Sequence, residues 1–130
     1  MRGLSIMKTI KTISFFTTFS FLSFTAQACD LSKAETLWNK CVICHMNSAD
    51  GAVLVGPNLF GIMGREVASV DAFFYSFEME SYGDFWTPEL LNKFLENPMQ
   101  EVPGTTMAFA GFSQAEDREN IICYLQEYAK

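Results

Sequence analysis

Histidine occurs once in this sequence, at position 45. A metal site in this chain therefore draws on one imidazole at most, and a pair of histidines facing each other across an ion is excluded. Basic residues are few as well: nine Lys and Arg stand against fifteen Asp and Glu, for a formal charge of −6. A chain of that sign repels phosphate backbones and anionic lipid, so nucleic acid and acidic membrane surfaces are not expected partners. The longest uncharged apolar run, ISFFTTFSFLSF at 13–24, is rich in Ser and Thr and falls short of the ~20 residues a comfortable membrane span needs. No alternation of period two persists, which argues against a sheet. There is no internal repeat and no low-complexity stretch.

The start of the chain reads as a targeting segment. Arg2, Lys8 and Lys11 precede the Phe-rich run, and Ala26-Gln27-Ala28 has the small-residue pattern of a cleavage site. We expect residues 1–28 to be a signal peptide and residues 29–130 to be one domain, periplasmic or otherwise exported. The alternatives are an uncleaved N-terminal membrane anchor and a lipid on Cys29; against the lipid, Ala26 stands where Leu is usual. Residues 1–28 hold three of the nine basic residues and no acidic ones, so their removal takes the formal charge to −9. The remaining chain is near the low end for a self-sufficient core, and a large buried cofactor would add apolar surface to pack around.

Three helices are readable. Ser32-Lys33-Ala34-Glu35 fits a capping box, followed by Leu31, Ala34, Trp38 and Cys41 at helical spacing, which predicts a helix running into the CxxC segment. Residues 46–66 are rich in Gly and small residues and read as loop with one short helical turn; 67–86 are dense in aromatics and give no clear period. Thr87 can cap a second helix with Pro88 at its first position and Leu90, Leu91, Phe94 and Leu95 as its apolar stripe. Asn97-Pro98 should stop it, leaving 98–112 as an extended loop. A second capping box, Ser113 to Glu116, should open the last helix, with Ile121, Tyr124, Leu125 and Tyr128 on one face. The expected class is all-α: three main helices with short turns and long loops.

The strongest chemical signal is Cys41-Val42-Ile43-Cys44-His45. CxxCH is the attachment pattern for haem c. On a helical turn, positions i, i+3 and i+4 share a face. Both thiols can then reach the vinyl groups on one porphyrin edge while the adjacent imidazole reaches the iron. A dithiol redox pair or a zinc site built on Cys41, Cys44 and His45 competes, but the remaining thiols, Cys29 and Cys123, are distant in sequence.

With one histidine, the sixth ligand must be another residue type, and methionine is the usual one. Beyond residue 28 the choices are Met46, Met63, Met79, Met99 and Met107. Met46 adjoins the histidine and cannot reach the opposite face. Met107 sits in a Pro-Gly-Thr-Thr-Met loop far from the CxxCH and is our choice for the ligand.

From Cys41 to Tyr128 the chain resembles the class I cytochrome c family, the soluble mitochondrial and bacterial monohaem type. CVICH, GPNLFGIMGRE (56–66), the stretch from Tyr75 to Trp86, LLNKFLENP (90–98), VPGTTMAFAG (102–111) and IICYL (121–125) carry the resemblance in order and spacing. It implies the cytochrome c fold around one covalent haem. It also implies roles: His45 and Met107 as axial ligands; Pro57 accepting from the His45 ring NH; Tyr75, Trp86 and Arg65 near a haem propionate; Thr105 beside the methionine loop; Trp38 and Tyr124 as the aromatic pair where the first and last helices cross. Leu59, Leu91, Phe94, Leu95 and Phe109 are expected to form the apolar cage. Because those terminal helices pack in the family, a Cys29–Cys123 disulfide is open, alongside a free buried Cys123 with a frayed or lipidated Cys29.

The chain also departs from the pattern. Phe94 replaces a tyrosine, Met79 an asparagine and Ala34 a glycine. The lysine ring that many members carry around the exposed haem edge is largely missing. The implied function is a non-enzymatic electron carrier for redox proteins with neutral, apolar or basic docking surfaces, acting as a monomer or enzyme subunit on no small-molecule substrate. The alternatives are a dedicated subunit of one dehydrogenase or oxidase, and a haem enzyme with an open sixth site.

Overall fold

The computed structural model describes residues 29–130; the expected signal peptide lies outside the described residues. Five helical segments follow one another: α1 (Leu31–Trp38), α2 (Phe77–Glu80), α3 (Pro88–Glu96), α4 (Pro98–Glu101) and α5 (Ala115–Tyr128). No strand is present among the described residues. A single bridge between Glu66 and Phe85 is the only extended pairing there.

Several starts and stops differ from expectation. Asp30, not Ser32, caps α1, its carboxylate accepting from the Lys33 amide at 3.1 Å and from the Ser32 hydroxyl at 2.8 Å. An ionised carboxylate is the stronger acceptor, and Asp30 stands two residues earlier in the chain. α1 ends at Trp38 rather than running into the CxxC, and residues 39–44 wind on as tight turns. α5 begins at Ala115 with Gln114 before it and no side-chain cap, so the Ser113–Glu116 box does not form. The segment 98–112 is not wholly extended. Asn97 ends α3, but its side chain also caps α4, accepting from the Gln100 amide at 3.2 Å, and Pro98 opens the new turn. Within the unassigned aromatic stretch, Ser76 caps the single turn of α2. Thr87 caps α3 as expected, accepting from the Leu90 amide at 3.1 Å.

The terminal helices α1 and α5 pack together, and α3 packs on α5. Trp38 stacks on Tyr124 with ring centroids 5.6 Å apart. Ala34 is fully buried in α1, so a methyl is accommodated where the family often has glycine. Lys33 pairs with Glu116 at 2.8 Å and Asp117 at 3.0 Å, and Cys29 is joined to Cys123 by a disulfide with Cα atoms 5.8 Å apart. That bond engages the Cys29 sulfur, so the lipidated and free-thiol alternatives do not describe this structure.

Arg118, not singled out from sequence, is buried on α5. It donates to Asn92 Oδ1 (2.9 Å) and to the carbonyls of Phe112 (2.6 Å) and Ser113 (3.1 Å). It thereby ties α5 to α3 and to the loop before it; its Nε and Nη1 are hydrogen-bonded and its Nη2 faces the Glu96 carboxylate at 4.0 Å, so the buried charge is compensated. Gly111, at φ +90, lets that loop pass over the end of α3; a Cβ there would lie 2.6 Å from the Glu96 carbonyl carbon.

Tyr82 donates to Glu101 at 3.0 Å, and burial together with that carboxylate pushes its phenol well above the ordinary 10.0. The folded state therefore holds the phenolic proton more tightly than the unfolded chain. The contribution is complete below pH 10 and is lost as pH rises past that value, because the unfolded chain ionises first. Urea unfolding at pH 9 and 11 should show the wild type losing more stability over that interval than Tyr82→Phe does.

Candidate functional site

The turns after α1 set the first wall of the site. The Cys41 amide donates to Trp38 O (2.8 Å), Cys44 to Cys41 O (3.0 Å) and His45 to Cys41 O (2.9 Å). This winding keeps Cys41, Cys44 and His45 on one side even though the regular helix has ended. All three line a cavity of about 230 Å³. The two thiols are free rather than bonded to each other. Burial pushes the Cys41 thiol up to about 11. A dithiol redox pair needs a ready thiolate, which this setting disfavours. Among the described residues no cluster of three or more His, Cys, Asp and Glu is arranged to hold a metal ion.

His45 is fixed by its neighbours. Its Nδ1 lies 2.7 Å from the Pro57 carbonyl. A carbonyl can only accept, so Nδ1 carries the proton and Nε2 keeps the lone pair. Burial holds the ring below the usual histidine range, the Pro57 bond offsetting part of the effect, and so favours the neutral imidazole that binds metal. Gly56, whose amide donates to Cys44 O at 2.9 Å, lies against the ring; a Cβ there would sit 2.7 Å from Nδ1 and 2.9 Å from Nε2. Nothing in the sequence flagged Gly56 beyond its place before Pro57. Gly56→Ala should displace the imidazole and cut the yield of haem-containing protein roughly tenfold or more, the range for losing a contact that orients a metal ligand. Soret absorbance per milligram of purified chain measures it.

A short antiparallel crossing builds the second wall. The Trp86 amide donates to Arg65 O and the Gly64 amide to Trp86 O, both at 2.9 Å, bringing the two segments side by side. Arg65, half-buried, donates to the carbonyls of Phe60 (2.7 Å) and Asn58 (2.9 Å). A guanidinium has five donors, so it retains capacity for an anionic group. Tyr75 packs edge-on to Phe73, centroids 4.7 Å apart, and burial pushes its phenol up. Both line the cavity, as do Arg65 and the buried Trp86.

The third wall is the loop after α4. The Met107 amide donates to Thr105 Oγ1 at 3.3 Å, and both residues face the same cavity. All nine site residues singled out from the sequence, Cys41, Cys44, His45, Pro57, Arg65, Tyr75, Trp86, Thr105 and Met107, thus meet around one space. The expected cage residues Leu59, Leu91, Phe94, Leu95 and Phe109 line it too. Ile62 and Phe73, not singled out from the sequence, also line it. Met79 is buried on α2 and is the second methionine to reach the cavity; Met46, Met63 and Met99 do not line it.

An apolar cavity with two unpaired thiols and a fixed neutral imidazole fits a covalently tethered haem. Comparison with known proteins agrees. The chain is 45% identical over 97 residues to a protein named cytochrome c-type cyt cy from Rhodobacter capsulatus, covering 74% of this chain and 48% of that one. It is 37% identical over 102 residues to the cytochrome c of Gibberella zeae, covering 78% of this chain and 96% of that protein. It is 46% identical over 72 residues to the cytochrome c of Trypanosoma brucei brucei, covering 55% and 77%. The chain spans about half the length of the Rhodobacter relative and of two Rickettsia relatives. No protein-family model matches it. The chain belongs to the class I monohaem cytochrome c family, whose cofactor is one covalently bound haem c.

Proposed function

We propose that this chain is a one-electron carrier whose haem is tethered through Cys41 and Cys44 and ligated by His45 Nε2 and the Met107 sulfur. In this reading, residues 1–28 are removed on export and α1, α3 and α5 are the three main helices around the haem. Arg65, Tyr75 and Trp86 hold a propionate, and Thr105 supports the ligand loop. The supporting observation is the convergence of these side chains from separate segments on one apolar cavity, with the His45 tautomer set by the Pro57 carbonyl.

The bound iron supplies the ferric–ferrous couple. The protein's part is to hold both ligands fixed and to exclude water. His45 is locked between Pro57 and Gly56, and the Met107 amide is bonded to Thr105. Neither ligand then has reason to move between oxidation states, so reorganisation is small. The buried Leu91, Phe94 and Leu95 keep water from the cavity, which favours the less charged ferrous form and raises the potential. Held by both His45 and Met107, the iron would offer no coordination site to a substrate, and the chain acts as a carrier rather than an enzyme.

A redox titration with optical detection tests the reading. The expected result is one reversible single-electron wave at positive potential with a low-spin spectrum in both states. A high-spin ferric spectrum in the intact protein would favour an enzyme with an open sixth site.

A further inference from the structure

The charge of this protein is unevenly spread. Residues 66–85 carry five exposed carboxylates, Glu66, Asp71, Glu78, Glu80 and Asp84, and no Lys or Arg. The nearest cation in sequence, Arg65, is turned onto the Phe60 and Asn58 carbonyls. Two of the most exposed large apolar side chains of the described residues stand in the same stretch, Phe74 at 96% and Phe77 at 78%. Neither has a packing role that would explain a phenylalanine in water, and exposed aromatics set among charges are what contact surfaces carry. The position matters as well. Phe73, Tyr75 and Ser76, which adjoin these two residues in sequence, line the haem cavity. The Glu78 carboxylate lies against Gly104, three residues before Met107; a Cβ on Gly104 would come 2.6 Å from its oxygen.

Resting on the carrier reading above, we propose that residues 71–80 form the docking face for a redox partner whose own contact surface is a Lys/Arg rim around an apolar centre. Phe74 and Phe77 are the apolar anchors, and Asp71, Glu78 and Glu80 are the rim. The signs are opposite to those of the lysine-ringed haem edge. The charge also selects the occupant. A second copy would set two acidic faces against each other, and an anionic membrane would be repelled in the same way; a basic protein face is attracted. The docked partner is separated from the cavity by one layer of side chains, Phe73 and Tyr75. Each encounter passes one electron: this chain goes from ferrous to ferric, and the partner's acceptor centre is reduced by one.

The test uses the haem-loaded chain and respiratory membranes of the source organism, following oxidation of the reduced protein by its visible absorbance. Four proteins are compared: wild type, Asp71→Asn/Glu78→Gln/Glu80→Gln, Phe74→Ser/Phe77→Ser, and a control neutralising Glu119 and Glu127 on α5. Spectra and potentials should match across the set, since every substituted side chain is exposed. We expect the first two variants to be at least tenfold slower than wild type and the control to lie within twofold. Raising the salt should slow wild type toward the charge variant. Rates equal to wild type in both face variants and indifferent to salt would overturn the proposal and move docking to the aliphatic rim at Ile43 and Val55. Concentration-dependent dimerisation abolished by Phe74→Ser/Phe77→Ser would overturn it in favour of a second copy. A wild type that membranes neither oxidise nor reduce, despite a reversible potential, would instead contradict the carrier reading itself.

Discussion

Met107→Ala should convert the oxidised protein to a high-spin or water-ligated form and lower its reduction potential by roughly 0.2 V or more, a fraction of the ~0.8 V that axial ligands span. The direction follows from the ligand. A thioether is a weak donor that favours ferrous iron, and its loss removes that preference. The control is informative here because two methionines line the cavity. Met79 is on α2 among the packed side chains, whereas Met107 is on a loop with its amide bonded to Thr105. Met79→Leu should therefore keep the low-spin spectrum and shift the potential little. Loss of sulfur ligation in Met79→Leu but not in Met107→Ala would exchange the two roles. Potentiometry and ferric absorption spectra of the two variants decide it.

Replacing Cys29 and Cys123 together by Ser should cost about 4 kcal/mol of stability. The disulfide closes a loop with a sequence separation of 94. Chain entropy places cross-links of that span between about 4 and 5 kcal/mol, and measured losses run at 2–5. For a domain of about 100 residues, such a loss lowers the thermal midpoint by more than about 10 °C. The bond joins the segment before α1 to α5, and the contacts around it are local supports for the same junction: the Asp30 amide donates to Asn120 Oδ1 at 3.0 Å, and Lys33 reaches Glu116 and Asp117. These exposed ion pairs contribute little on their own. A mild reductant should reproduce the shift in the wild type, since thioether bonds to haem resist it. A midpoint unchanged by both treatments would mean that the helix packing alone holds the ends together.

Much of the site was legible because its chemistry is written in rare residues. One histidine, one CxxCH and one Pro-Gly-Thr-Thr-Met loop leave few ways to build a haem site, and the family resemblance supplied the order of the remaining walls. The helix boundaries were less legible for a physical reason. Ser32 and Ser113 each sit three residues before a Glu, but a capping box competes with whatever other acceptor is in reach. At α1 the carboxylate of Asp30 takes the first turn; α5 instead starts behind Gln114 with no side-chain cap, and the Phe112 and Ser113 carbonyls before it accept from the Arg118 guanidinium. Asn97-Pro98 carries two meanings at once, since the same pair that ends one helix caps and opens another. Long-range contacts left no local trace. The closeness of Gly56 to the imidazole, and the anchoring of Arg118 across α3 and α5, depend on where distant segments are brought together. Cys29 and Cys123 lay between: the family's helix packing made their bond open, and the 5.8 Å Cα separation depends on how the segment before α1 meets α5.

Iron K-edge X-ray absorption of the oxidised holoprotein tests the central claim most directly. The account predicts five nitrogen neighbours and one sulfur neighbour around iron in the wild type, with the sulfur lost in Met107→Ala. Six nitrogen or oxygen neighbours and no sulfur in the wild type would contradict it.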